Sequence, residues 1–154
     1  MLDQAQTKIA RRSRIAIVSL MTLTSLSCED ISSTDALLSP SEPGDFHLYV
    51  SNQSYQFSPV DVIVYLDGKL AVNQLFYVKA QHTWVRFNYD LGNGTHALRV
   101  ISRSAGLDVE RSVVLPDSNW CVIEFWYNPQ YQGGQPPKTR DFSFYFYSTE
   151  PFFI

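Results

Sequence analysis

No glycine-rich phosphate loop, no serine in a G-x-S-x-G or S-x-x-K setting and no D-x-[DN]-x-[DN]-G calcium run occurs in this chain. The three histidines, His47, His82 and His96, stand far apart and share no metal-ligand spacing such as H-x-H or H-E-x-x-H. The expectation is a non-enzymatic protein with no cofactor and no metal. No segment combines a sustained helical period with capping residues, so a helical fold is not expected. Positive charge is also sparse. Lys and Arg number 12 against 15 Asp and Glu, with no basic stripe. Nucleic acid and anionic lipid headgroups, which are bound mainly through clustered Lys and Arg, are therefore not expected partners.

What is present begins with an export pattern. Lys8, Arg11, Arg12 and Arg14 form a basic region, Ile15 to Leu26 an apolar run too short to span a bilayer, and Ser25-Leu26-Ser27 a small-x-small cleavage site. Residues 1–27 read as a signal peptide, because nothing from Ser13 to Ser27 offers the charged face a surface helix needs. Removing them takes away four basic side chains and one acidic one, Asp3. The remainder holds eight Lys and Arg against fourteen Asp and Glu and is clearly acidic.

Ser27-Cys28 at the end of this signal resembles the lipobox of bacterial lipoproteins, in which small or apolar residues precede a cysteine. The resemblance implies that Cys28 is diacylated, becomes the new N-terminus and anchors the protein to a membrane of the bacterial cell envelope, facing the periplasm or the cell surface. Ordinary secretion, with Cys28 a plain residue, is the alternative. If Cys28 carries lipid, Cys121 has no partner for an intramolecular disulfide, and the fold must be held by its core. In the apolar run Trp120 to Trp126, Cys121 reads as a small buried hydrophobe rather than a reactive thiol.

From Cys28 to Asp45 the composition is that of a tether, rich in Ser, Pro and acids, and is expected to be flexible or extended. From Phe46 to Ile154, β-branched and aromatic residues dominate and turn residues recur at strand-length intervals. Strands are expected at Phe46–Val50, Val60–Leu66, Lys69–Val78, His82–Asp90, Thr95–Ser102, Leu107–Leu115, Trp120–Tyr127 and Phe142–Tyr147. Asp67-Gly68 is a strong hairpin signal, because both residues tolerate the positive φ of a type I′ turn. In His82–Asp90 the alternation places Val85, Phe87, Tyr89 and Leu91 on one face and Trp84, Arg86, Asn88 and Asp90 on the other. Seven or eight antiparallel strands at this spacing predict one all-β domain, a two-sheet β-sandwich of Ig-like or small jelly-roll type.

The stretch Val62-Ile-Val-Tyr-Leu-Asp-Gly-Lys69, with Leu91-Gly-Asn-Gly-Thr-His-Ala-Leu-Arg-Val100 after it, resembles a pattern of bacterial extracellular Ig-like and jelly-roll modules. Adhesion-type modules and some carbohydrate-binding modules are among them. The resemblance implies the fold more than the function. The whole chain is also similar to small bacterial lipoproteins that carry one such domain.

Several candidate sites have plainer explanations. His96 falls in phase with Leu98 and Val100 and reads as a satisfied, part-buried structural residue. Asp61, Asp67, Asp90 and Asp108 read as turn acids or solvated charges. Asn52-Gln-Ser54 and Asn93-Gly-Thr95 match the glycosylation sequon, but the signal is bacterial and Asn93-Gly94 is explained by a turn. The constellation left is aromatic. In Trp120–Tyr127, Cys121, Ile123 and Phe125 are expected inward, with Trp120, Val122, Glu124 and Trp126 outward. The last strand puts Phe142, Phe144 and Phe146 inside and Ser143, Tyr145 and Tyr147 outside. If the two strands are neighbours, Glu124, Trp126, Tyr145 and Tyr147 share an exposed patch. Tyr131, in the long loop Asn128–Arg140, is a further candidate. Such rings beside a carboxylate suit a protein interface or stacking on sugar rings. They can equally serve to cover the sandwich. Two functions follow from the sequence. One is a lipid-anchored envelope protein mediating protein contact; the other is a carbohydrate-binding module displayed on a tether.

Overall fold

The computed structural model describes residues 35–54, 56–78, 83–129 and 139–152. Among them are eight strands and no helix: β1 (Phe46–Asn52), β2 (Val60–Leu66), β3 (Lys69–Phe76), β4 (Val85–Tyr89), β5 (Gly94–Ser102), β6 (Leu107–Leu115), β7 (Trp120–Trp126) and β8 (Asp141–Tyr147). They form two four-stranded sheets of order β4-β1-β7-β8 and β3-β2-β5-β6. The protein is an all-β, two-sheet sandwich. Three hairpins, β2–β3, β5–β6 and β7–β8, supply six strands, and β1 and β4 complete the first sheet. Every strand pairing is antiparallel except that of β1 with β7.

Alternation explains the core. Phe46, Leu48, Val50, Cys121, Ile123 and Phe125 point inward from the first sheet, and Val60, Val62, Val64, Leu66, Leu98 and Val100 from the second. All are fully buried. A large apolar side chain taken out of water stabilises by about 1.5–3 kcal/mol, so this set drives the two sheets together. Cys121 lies inside it as a free thiol whose pKa burial pushes far up, leaving it an inert small hydrophobe. Tyr89 also reaches into the core, donates to the Ala71 carbonyl at 2.7 Å, and has its phenol pushed up to about 12 by burial.

The turns follow their chemistry. Asp67 and Gly68 have φ of 49° and 74°, the double positive value a two-residue hairpin needs. Strand β4 departs from strict alternation: Tyr89 is buried and Phe87 half-buried, but Val85 is 41% exposed. On the opposite face Asn88 is buried, because Glu42, His47 and Arg86 close hydrogen bonds around its amide.

Residues 35–45, expected to be tether, lie along the sandwich. Leu37 bridges Leu70 in parallel; Leu38 N–H donates to the Leu70 carbonyl and Leu70 N–H to that of Ala36, both at 2.9 Å. Further along, Ser41 N–H donates to Asn88 and Asp45 N–H to Tyr89. At Gly44 the chain comes so close to β4 that a Cβ would lie 2.8 Å from the Tyr89 carbonyl oxygen, and its φ is +71°. The segment is held by backbone hydrogen bonds to β3 and β4. Composition does not encode those.

Candidate functional site

Because β7 pairs with β8 on one side and β1 on the other, the outward side chains of the first sheet fall into cross-strand rows. One row is Asn88, His47, Trp120 and Tyr147; the next is Arg86, Tyr49, Val122 and Tyr145; a third is Ser51, Glu124 and Ser143. Trp126 follows on β7. The expected neighbourhood of Glu124, Trp126, Tyr145 and Tyr147 on one face therefore forms. Its exposure is uneven. Tyr145 and Tyr147 are 43% and 40% exposed, whereas Glu124 and Trp126 are half-buried.

Glu124 explains the difference. One carboxylate oxygen accepts the indole N–H of Trp84 and the other that of Trp126, each at 3.1 Å. A carboxylate shared by two indoles satisfies donors that burial would otherwise leave costly, and it fixes both rings against the sheet. Val122 and Ser51 beside this brace are buried although they face outward. Trp126 is thus a bracing ring and not part of a freely exposed patch. Tyr131 and Cys28 lie outside the described residues.

At the other end of the face, Trp120 is enclosed by rings and charge. The His47 ring lies 3.9 Å away by centroid, the Tyr49 ring 6.0 Å at 15°, and the Arg86 guanidinium 5.1 Å from the indole centroid. Tyr49 donates to Glu150 at 3.0 Å, and Arg86 stands 3.6 Å from the same carboxylate. Burial and the Glu150 bond raise the Tyr49 phenol pKa. Sequence reasoning missed Trp84, His47, Tyr49 and Arg86 as parts of this face. The alternation of β4 did place Trp84 and Arg86 outward, but nothing local says that β4 lies beside β1.

Arg140, at the far end of the Asn128–Arg140 loop, sits over Phe57 at 4.6 Å and Tyr127 at 5.4 Å.

The other sequence candidates have structural duties. Asn52 is buried; its amide donates to the Phe57 and Phe76 carbonyls at 2.9 and 3.0 Å and its oxygen accepts Ser54 N–H, which makes this sequon a turn device. Asp61 accepts the backbone N–H groups of Arg103 and Ser104 and the Ser102 hydroxyl, capping the β5–β6 turn. Although burial alone would raise its pKa, these bonds lower it. Asp108 holds Arg99 through two bonds of 2.9 and 2.6 Å, and Asp90 accepts the Ser41 hydroxyl.

His96 is buried with Nδ1 2.7 Å from Asp67 Oδ2 and Nε2 3.0 Å from the Gly92 carbonyl. Burial opposes its charge, but two acceptors facing both ring nitrogens outweigh it and raise the pKa, while the Asp67 carboxyl is held below its ordinary value. Among the described residues no group of three His, Cys, Asp or Glu could hold a metal ion. A groove of about 380 Å³ crosses the outside of the second sheet, bordered by Asp35, Tyr65, Arg99 and Glu110. Its polar groups are engaged within the protein: Arg99 pairs with Asp108 and Glu110, the Tyr65 hydroxyl donates to Asp35 at 2.8 Å, and Arg111 donates to the Glu110 carbonyl. No family model, curated protein or solved structure matches the chain. The module likeness of Val62–Lys69 and Leu91–Val100 rests on those residues alone.

Proposed function

We propose that this is an exported bacterial lipoprotein, anchored through Cys28 in the cell envelope, whose Ig-like sandwich makes protein contacts and performs no catalysis. The observation that carries this reading is the side-by-side exposure of Tyr145 and Tyr147 on a face whose other rings are fixed from behind. Exposed tyrosines on a rigid platform lose little conformational entropy on binding and supply large contact area, the usual make-up of an interface anchor. The carbohydrate reading draws less support. Both oxygens of Glu124 already accept indole N–H groups, so a sugar hydroxyl would compete for this carboxylate instead of finding it free.

A photo-crosslinking residue at Tyr145 or Tyr147, expressed in a native-like bacterial host, should give a discrete adduct with another envelope protein. The same residue at Thr95, on the second sheet, should not. Equal labelling at the three positions would reject the face as the contact site. A glycan screen in which binding disappears with Tyr145→Ala and Tyr147→Ala would replace protein contact with sugar binding. For the anchor, Cys28→Ser should move the protein from the membrane to the soluble fraction. Retention in the membrane would end the lipoprotein reading.

A further inference from the structure

A sandwich of two open sheets has four edge strands, here β3, β4, β6 and β8, each with one row of backbone groups facing away from its sheet. Three of these edges are guarded over at least part of their length. β3 is met at Leu70 by residues 36–38, and β4 at Asn88 and Tyr89 by Ser41 and Asp45. β6 carries Asp108, Glu110 and Arg111, all exposed. β8 has none of these defences. Its sequence Asp141-Phe-Ser-Phe-Tyr-Phe-Tyr147 holds one charge, at its first residue, and no proline or glycine. Among the described residues no other segment bonds to its free side, where Asp141 itself accepts Phe142 N–H at 2.8 Å. Phe144 and Phe146, which face inward, remain half-exposed, with only the Arg111 guanidinium laid over Phe144 at 5.0 Å.

We propose that β8 is a strand-addition edge and that its occupant is β8 of a second copy of this chain, paired antiparallel about a two-fold axis to make one continuous eight-stranded sheet. The inference concerns the edge of the sheet and stands apart from the reading of its outer face. Two features select a second copy. Directly opposed residues of an antiparallel pair point to the same side, so a two-fold through β8 must oppose residues of equal parity. Phe142, Phe144 and Phe146 then ladder with one another on the inner side, closing the half-exposed rings, while Ser143, Tyr145 and Tyr147 ladder on the outer side. The second feature is charge. Between Phe142 and Tyr147 there is none, so the strand meets itself without like-charge repulsion, and the antiparallel direction sends the two Asp141 carboxylates to opposite ends. β6 does this less readily. A two-fold centred on Val109 opposes Asp108 with Glu110, one on Glu110 opposes two carboxylates, and one on Arg111 opposes two guanidiniums, so like charges are avoided only where the axis lies at Ser112 or beyond, toward the end of the strand.

The test is the mass of the full chain, extracted from bacterial membranes in mild detergent, by light scattering corrected for detergent. The expected value is two chains. Backbone N–H groups along β8 point alternately toward β7 and toward the free side, so one of Ser143→Pro and Phe144→Pro removes a free-edge donor and leaves the β7 pairing intact. The variant of the two that keeps the wild-type melting temperature should have half the wild-type mass. In the wild type, alternate amides of β8 should exchange slowly with deuterium on the free side as well as on the β7 side, and in that variant the free-side set should exchange fast. Val114→Lys, on β6, should leave the mass at two chains. A wild-type protein that is monomeric from micromolar to millimolar concentration would overturn the proposal. A dimer that survives the well-folded proline variant, or one that Val114→Lys dissolves, would do the same.

Discussion

The outer faces of the two sheets solve the same problem by different means. Each must be wetted on one side and still hold its strands in register. On the second sheet the outward rows mix charged with aliphatic side chains: Ile63 opposes Ile101 and Leu75 and Val114 are exposed, while Arg99 is clasped by Asp108 and Asp61 gathers the β5–β6 turn. On the first sheet the rows are rings, with Glu124 set between two indoles and Trp120 enclosed by His47, Tyr49 and Arg86. Charge pairs in water add little net stability, since solvation and salt compete with them. Rings braced by a shared carboxylate exclude water from the strands beneath. The first sheet therefore has a braced outer surface, and it presents Tyr145 and Tyr147 side by side.

Substitutions should expose this difference, most of all at the brace. Trp126→Ala removes a half-buried ring and one donor to Glu124, and should cost about 3 kcal/mol of folding free energy in denaturant titration, near the low end for loss of a large aromatic. A change below 1 kcal/mol would show that the ring is as dispensable as a freely exposed one.

A smaller effect belongs to His96 and Asp67, where the second sheet turns. The folded-state pKa of His96 is raised above its ordinary 6.5, so its contribution is complete below that value and is lost as pH rises through the raised one. The pKa of Asp67 is lowered from 3.8, so its contribution is present above that value and lost as pH falls through the lowered one. Melting temperature should decline from pH 6 toward pH 9 more steeply in the wild type than in Asp67→Asn. Parallel profiles would mean that the pair does not couple folding to protons.

The smallest change is expected for Arg99→Ala, at most about 1 kcal/mol because the pair with Asp108 is half-exposed, and it should shrink further in high salt. A loss as large as that of Trp126→Ala would erase the contrast between the two faces.

Much of the fold was legible from the chain. Val60–Leu66 and Leu107–Leu115 begin and end where alternation and turn residues place them, and Asp67-Gly68 turns as its backbone tolerance requires. Cys121, Ile123 and Phe125 face inward as the apolar run of β7 implies. The site was legible only in part. Facing directions were correct for Glu124, Trp126, Tyr145 and Tyr147, because direction follows from a period of two. Exposure could not be inferred, because what occupies Glu124 includes Trp84, forty positions away in sequence.

The sequence by itself determined the strands, their turns and which side of each strand is apolar. These depend on neighbours one or two residues apart, and on backbone conformations that particular residues tolerate. Only the tertiary structure decided that β1 lies between β4 and β7, antiparallel to the first and parallel to the second, that residues 35–45 line two sheet edges, and that no described segment pairs with the free edge of β8. Those outcomes depend on backbone groups, which every residue carries alike, and on contacts between segments far apart in the chain. Neither leaves a mark in the local order of side chains.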